Sequence, residues 1–247
     1  MTDATAHSSS LDSLRPLALL ALGRTGADIE RLVRDVRRNL RREGRKMVWN
    51  DLEAALRNAE AVMSDDLRWR VSVHEAGHAL VYALTGIAEV QLASVGLHGL
   101  GMVATAAYDH LPETEAWLMN RMAAILAGRT AEVLVIGEPL AGAGGADESD
   151  LARATDMALA AETRLGFSCH QPLLYRPSGT ALNQLGLDRQ LAEPVNARLL
   201  AAEAIARAII KEHRELHVAI AERLNTVGIL SGAELRDMID HANGGAT

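Results

Sequence analysis

Between Leu67 and Leu84 the chain has no proline, and Val71, Val73, His74, Ala76, Gly77, Leu80, Val81 and Leu84 set apolar and small residues at helical intervals. The stretch therefore predicts a largely buried α-helix, which Gly86 ends. Inside it stands His74-Glu75-Ala76-Gly77-His78. Helical geometry stacks imidazoles four residues apart on one face, with the Glu75 carboxylate beside them. Neutral imidazole binds zinc well, and a catalytic zinc keeps three protein ligands and a water whose pKa falls to about 7. Glu75 is expected to take a proton from that water as it attacks a peptide carbonyl, then deliver it to the leaving amine. Short patterns also arise by chance, but the small, apolar helix around this one weighs against that.

A second pair at the same spacing, His213 and His217, encloses Arg214, Glu215 and Leu216, so a cation follows the first histidine where a base should stand. With Lys211, Arg214 and Arg223 nearby it predicts a solvated face. His7, His98, His110, His170 and His241 are isolated. A third metal ligand has to come from elsewhere, because the residues after His78 are apolar through Leu84. Asp147, Glu148 and Asp150 compete for it, in a glycine loop that runs from Gly142 into a helix. The plainer reading of all three is an acidic helix start that complements the helix dipole.

Three segments together resemble the FtsH family of AAA-type zinc proteases. They are His74 to His78, then Ala127-Gly128-Arg129-Thr130-Ala131-Glu132-Val133, then Ser149-Asp150-Leu151-Ala152-Arg153-Ala154-Thr155. Their order and spacing agree with the family, which is far more specific than five residues. The resemblance implies His74, His78 and Asp150 as zinc ligands and Glu75 as catalytic base. Because the glycine loop is longer than the family pattern, Asp147 stands as the substitute third ligand. The chain from Thr25 to Val33, with Arg42 to Lys46 and Asp51 to Leu56, is similar to the helical lid that follows an AAA ATPase core. In that segment Gly44 is expected to end a basic helix, and Asn50 with Glu53 to form a capping box for the next. The basic run from Arg34 to Lys46 has no interleaved aromatic, so it predicts an amphipathic helix and no nucleic-acid site.

Glu89 to Val95 and Gly101 to Ala107 read as a short antiparallel pair beside the zinc helix. Gly99-Leu100-Gly101-Met102-Val103-Ala104 matches a dinucleotide outline, but a strand follows where a helix should begin. In the family the corresponding edge strand pairs with the substrate backbone, which implies Gly101, Met102 and Val103 as substrate-binding residues. Glu115 to Val135 reads as a core helix, Arg176 to Leu187 as a loop around Pro177, Ser178 and Gly179, and Ala192 to Leu224 as one long amphipathic helix. Ser231 with Glu234 predicts the cap of a short last helix.

The expected fold is mainly α (α+β): a flexible tail over residues 1–10, a lid-like helical segment over 11–64, and a zinc peptidase domain with a small β pair over 65–247. No G-x-x-x-x-G-K-[ST] loop and no hydrophobic run of about 18 residues occur, so neither an ATPase core nor a transmembrane segment is expected within these residues. An ATPase is then supplied in trans or upstream, and Met1 with the polar tail through Ser10 favours a separate lid-plus-protease protein. A net charge of -7 argues against nucleic acid, and the single Cys169 gives no sign of secretion, so a soluble cytoplasmic protein is expected. Cys169 beside His170 is read as structural. The family implies a ring, perhaps a hexamer, acting on polypeptide substrates. A zinc endopeptidase and a non-catalytic assembly module on the same fold are the two functions in view. The intact His74, Glu75 and His78 favour the first.

Overall fold

Helix ends in this chain are set by short side chains and by glycines in the left-handed region, and these fix which faces turn inward. The computed structural model describes residues 25–57, 63–96, 100–177 and 188–244, with residues 14, 17, 18, 20, 21 and 185. The tail expected over residues 1–10, and most of the loop expected from Arg176 to Leu187, lie outside the described residues. Two compact units are drawn from Met1–Ser64 with Gly96–Gly101, and from Asp65–Val95 with Met102–Thr247.

In the first unit, α1 (Gly26–Arg42) opens on a reciprocal Thr25–Asp28 capping box. It closes at Gly44, φ 69°, where the Arg45 N–H donates to the Leu40 carbonyl at 3.0 Å. Leu32, Val33 and Val36 are half-buried and Leu40 is buried, while Arg34 and Arg38 reach outward to Glu30 and Asp35. The basic face is solvated, as its pattern implied. The next helix, α2 (Trp49–Arg57), departs from expectation. The Val48 N–H donates to Asp51 Oδ2 at 2.8 Å, and Arg45 grips the same carboxylate, so the helix opens ahead of Asn50. Asn50 therefore lies inside the first turn, and Asp51, the third residue of the helix, reaches back to the N–H of Val48.

In the second unit, α3 (Asp65–Thr85) is the central element. It packs against α4 (Glu115–Val135), α7 (Arg214–Val227) and β1 (Ala88–Val95), and Val71 to Val81 is buried except for His74. Gly86, φ 63°, turns the chain into β1. Thr114 caps α4, and Ser149 caps α5 (Asp150–Thr163) after a 3-10 turn at Ala141–Ala143. The antiparallel order of α3 and α4 allows a close approach only because Gly77 lacks a side chain. A Cβ there would stand 2.6 Å from the Ala127 carbonyl oxygen and 2.8 Å from Ala131 Cβ. Among the described residues no helix is long and apolar enough to cross a membrane.

The mainly α (α+β) architecture with a small sheet is as expected, and three details differ. The β pair is a three-stranded sheet of order β2-β1-β3, with β2 at Gly101–Ala107 and β3 at Ile229–Ser231. In β3, Ser231, Leu230 and Ile229 face Leu92, Ala93 and Ser94 of β1. Ser231 also forms the expected box with Glu234 at the start of α8 (Gly232–Gly244). The long helix from Ala192 to Leu224 is in fact α6 (Arg189–Glu212) followed by α7, broken at His213 with φ −107° and ψ 34°. The break turns α7 so that Leu216, His217, Ile220, Ala221 and Leu224 all point inward. His217 is 0% exposed, the opposite of a solvated face, and its Nε2 donates to the Val73 carbonyl at 3.0 Å.

Burial, against the Val73 hydrogen bond, pushes the His217 pKa down to about 4, so this imidazole is neutral in the folded chain. Its ordinary value of about 6.5 applies when the chain unfolds. Below that value the unfolded state takes up a proton that the folded state refuses, so folding stability falls as pH drops from about 6.5 towards 4. The loss from this group should approach about 3 kcal/mol. The His217→Gln variant keeps an N–H for Val73 but cannot titrate. Denaturation midpoints across this pH range should fall less steeply in the variant, and parallel curves would show that His217 is not the group responsible.

Candidate metal centre

Three lone-pair-bearing atoms converge where α3 meets the start of α5. His74 Nε2 and His78 Nε2 are each 3.2 Å from Asp150 Oδ2 and 2.9 Å from one another. Among the described residues this is the one group of His, Cys, Asp or Glu with metal-ligand geometry. Bonds of about 2.0 to 2.2 Å from a tetrahedral ion to nitrogen and oxygen give ligand-to-ligand edges of roughly 3.3 to 3.6 Å. The observed triangle is slightly tighter than that and fits such an ion.

Neighbouring groups fix which ring nitrogens are free. His78 Nδ1 donates to the Ala124 carbonyl of α4 at 2.8 Å. His74 Nδ1 lies 2.6 Å from Glu132 Oε1, and that carboxylate, 1% exposed, also accepts from the Leu140 N–H through Oε2. Both Nδ1 atoms are committed to these acceptors, so each ring turns its Nε2 to the centre, where a proton or a metal ion can be held. This is the outer hydrogen bonding that orients metal-binding histidines. Glu132 stands in one of the segments quoted above, but its role could be read only from this contact. Gly128 is the second residue the sequence left unassigned. A Cβ there would come within 2.5 Å of both Nε2 atoms, so only glycine leaves the centre open.

The electrostatics agree. Burial alone would lower the His74 pKa, but Asp150, Glu132 and Glu75 outweigh it and push it up to about 10. Burial raises the Asp150 carboxyl, yet the hydrogen bonds from His74 and His78 hold it well below the usual carboxylate range. The cluster attracts positive charge strongly, as a cation site must. Glu75, next to His74 on α3, is 6% exposed, and burial raises its pKa while the two histidines pull it back.

Other residues singled out from the sequence lie apart. Asp147 and Glu148 are exposed and outside the cluster. Gly101, Met102 and Val103 are half-buried on β2, at an outer position of the sheet. His110, His170 and His241 are exposed, and His7 and His98 lie outside the described residues. Cys169 is a free surface thiol, so it fills no structural place in a core.

The Gly128→Ala variant should keep its helix, since alanine is the better helix former, and lose metal affinity by at least about tenfold through the steric contact. Glu132→Gln should weaken binding by about 10- to 100-fold by removing the charge behind His74. Titration with zinc against a chromophoric chelator reads both. Unchanged affinity in either would remove that residue from the site.

A family model described as peptidase family M41 matches residues 61–238. The ATP-dependent zinc metalloprotease FtsH 1 of Symbiobacterium thermophilum is 32% identical over 244 residues, covering 92% of this chain and 40% of that protein. FtsH 2 of Sphaerobacter thermophilus is 30% identical over 242 residues, covering 92% and 36%. FtsH of Thermobaculum terrenum is 32% identical over 214 residues, covering 82% and 32%. The chain thus spans about two fifths or less of the length of these relatives. The match runs through the helix of the two histidines, the helix of Gly128 and Glu132, and the helix that Asp150 opens, and the chain belongs to peptidase family M41.

Proposed function

We propose that the chain is a zinc-dependent endopeptidase that hydrolyses unfolded or flexible polypeptides. The observation that carries this reading is the triangle of His74, His78 and Asp150 with a buried carboxylate, Glu75, adjoining it. Two neutral imidazoles and one carboxylate suit zinc better than the all-oxygen sets that calcium and magnesium favour. His74, His78 and Asp150 would hold the ion. When bound, zinc supplies Lewis acidity, which polarises a peptide carbonyl and makes water a stronger acid.

Glu75 then serves as the proton carrier. Its burial weakens it as an acid and so makes its carboxylate a better base, as removal of a proton from water requires. The same carboxyl can return that proton to the leaving amine. Glu132 and the Ala124 carbonyl keep both imidazoles in one orientation through the cycle. The outer position of β2 supports strand addition by a substrate at Gly101, Met102 and Val103, in which main-chain bonds give affinity that tolerates many sequences.

The relatives are named ATP-dependent, whereas these 247 residues contain no phosphate-binding loop of the Walker type. We therefore take residues 11–64 as a lid-like segment and the unfolding work as the task of an ATPase in trans or on a longer chain. Assembly into a ring, perhaps of six, belongs to the same reading. The acidic composition and single cysteine support a cytoplasmic setting.

Glu75→Gln keeps the shape and removes the base. Hydrolysis of casein should fall by roughly 100-fold or more, while zinc content stays near one per chain. Undiminished cleavage by this variant would exclude Glu75 as the base. No cleavage by the zinc-loaded wild-type chain would instead favour an assembly module built on the protease fold.

A further inference from the structure

One helical turn beyond the metal triangle, the same three helices bring together a second group of opposite character. On α3, Tyr82 follows His78 by four residues and lies on the same face. On α4, which runs antiparallel, Arg121 precedes Ala124, the acceptor for His78, by three. On α5, Arg153 follows Asp150 by three, with its Nη1 3.7 Å from Asp150 Oδ1. The half-buried Tyr82 hydroxyl interacts with the Arg153 side chain and feels the charges of Arg121 and Asp150. Burial pushes its phenol up, so it keeps its proton as a donor.

The metal triangle offers only acceptors. This second group is rich in donors, and little of its positive charge is paired. Among the described residues Arg121 has no carboxylate partner and lies over the Trp117 ring, 5.1 Å from its centroid. Arg153 is 53% exposed, and its one acidic neighbour, Asp150, is engaged through Oδ2 with both histidines. Two guanidiniums and a phenol held together beside an acceptor triangle make a site for an anion, and guanidinium matches a carboxylate in shape as well as charge.

We propose that Tyr82, Arg121 and Arg153 form a subsite that binds a substrate carboxylate close to the scissile bond, making the chain selective for peptides that are acidic there. This rests on the peptidase reading above. A turn of helix rises about 5.4 Å, and an extended peptide advances about 3.3 Å per residue. The recognised carboxylate therefore belongs on a side chain one or two residues from the cleaved bond.

The test uses zinc-loaded Glu75→Gln protein, which holds peptide without turnover, and short peptides that differ only by Glu, Gln or Lys at each flanking position. Each is made with a free and an amidated terminus. Binding is followed by Trp117-dependent fluorescence or calorimetry. Glu peptides should bind about tenfold more tightly than Gln peptides at one position, and the preference should shrink in high salt. A preference that follows the free terminus and not the side chain overturns the side-chain selectivity. Adding Arg153→Glu should turn the preference towards Lys, a gain that misfolding cannot produce. Equal binding of Glu, Gln and amidated peptides overturns the subsite, and cleavage of them all by the wild-type chain would leave the peptidase reading intact. Glu-selective binding without any wild-type cleavage overturns the peptidase reading alone.

Discussion

The convergence of His74 Nε2, His78 Nε2 and Asp150 Oδ2 is the constraint around which the second unit is organised. Three such atoms about 3 Å apart need a proton or an ion between them, which is why His74 holds its proton tightly and Asp150 does not. The protein braces each of them from behind. Glu132 and the Ala124 carbonyl take the Nδ1 protons, and the Ser149 cap sets the first turn of α5 that carries Asp150. These braces work only if α3 and α4 lie almost backbone to backbone, which is what Gly77 and Gly128 permit. Small residues on these helices are thus as much a part of the site as the ligands.

Much of this frame was legible in the sequence, for physical reasons. The helix around His74 announced itself by period and by the absence of proline, and Glu115 to Val135 did so by its apolar stripe. Capping gave Ser231 its place, since an oxygen on a short side chain has few other ways to meet a helix N-terminus. The proximity of Asp150 to the two histidines could not be read from local pattern, where Asp147 and Glu148 were equal competitors. It came only with the family resemblance.

What escaped was set by tertiary contact. β3 has three residues, too few for a period, and exists because β1 offers it partners. The break at His213 occurs in a run of Lys211, Glu212, His213 and Arg214 with neither glycine nor proline, and the inward turn of His217 follows from it. Tyr82, Arg121 and Arg153 stand far apart in the chain and meet only through the register of three helices. The Val48–Asp51 opening of α2 was missed for a smaller reason, that two acceptors were within reach and Arg45 favours one of them.

Asp150 lies 72 residues from His78, and the chain between them runs through β1, β2, α4 and the glycine loop. An ion shared by the two would act as a cross-link across that span, and the entropy lost in closing so long a loop would be met by coordination. The Glu132 carboxylate, joined to His74 on one side and to the Leu140 amide on the other, already ties the outgoing end of α4 to the metal-site helix without an ion. The stretch from Gly142 to Ser149 has no such tie. An ion bound there would therefore fasten chiefly the last part of the loop and the first turn of α5. The rest of the unit is left as a template already in place.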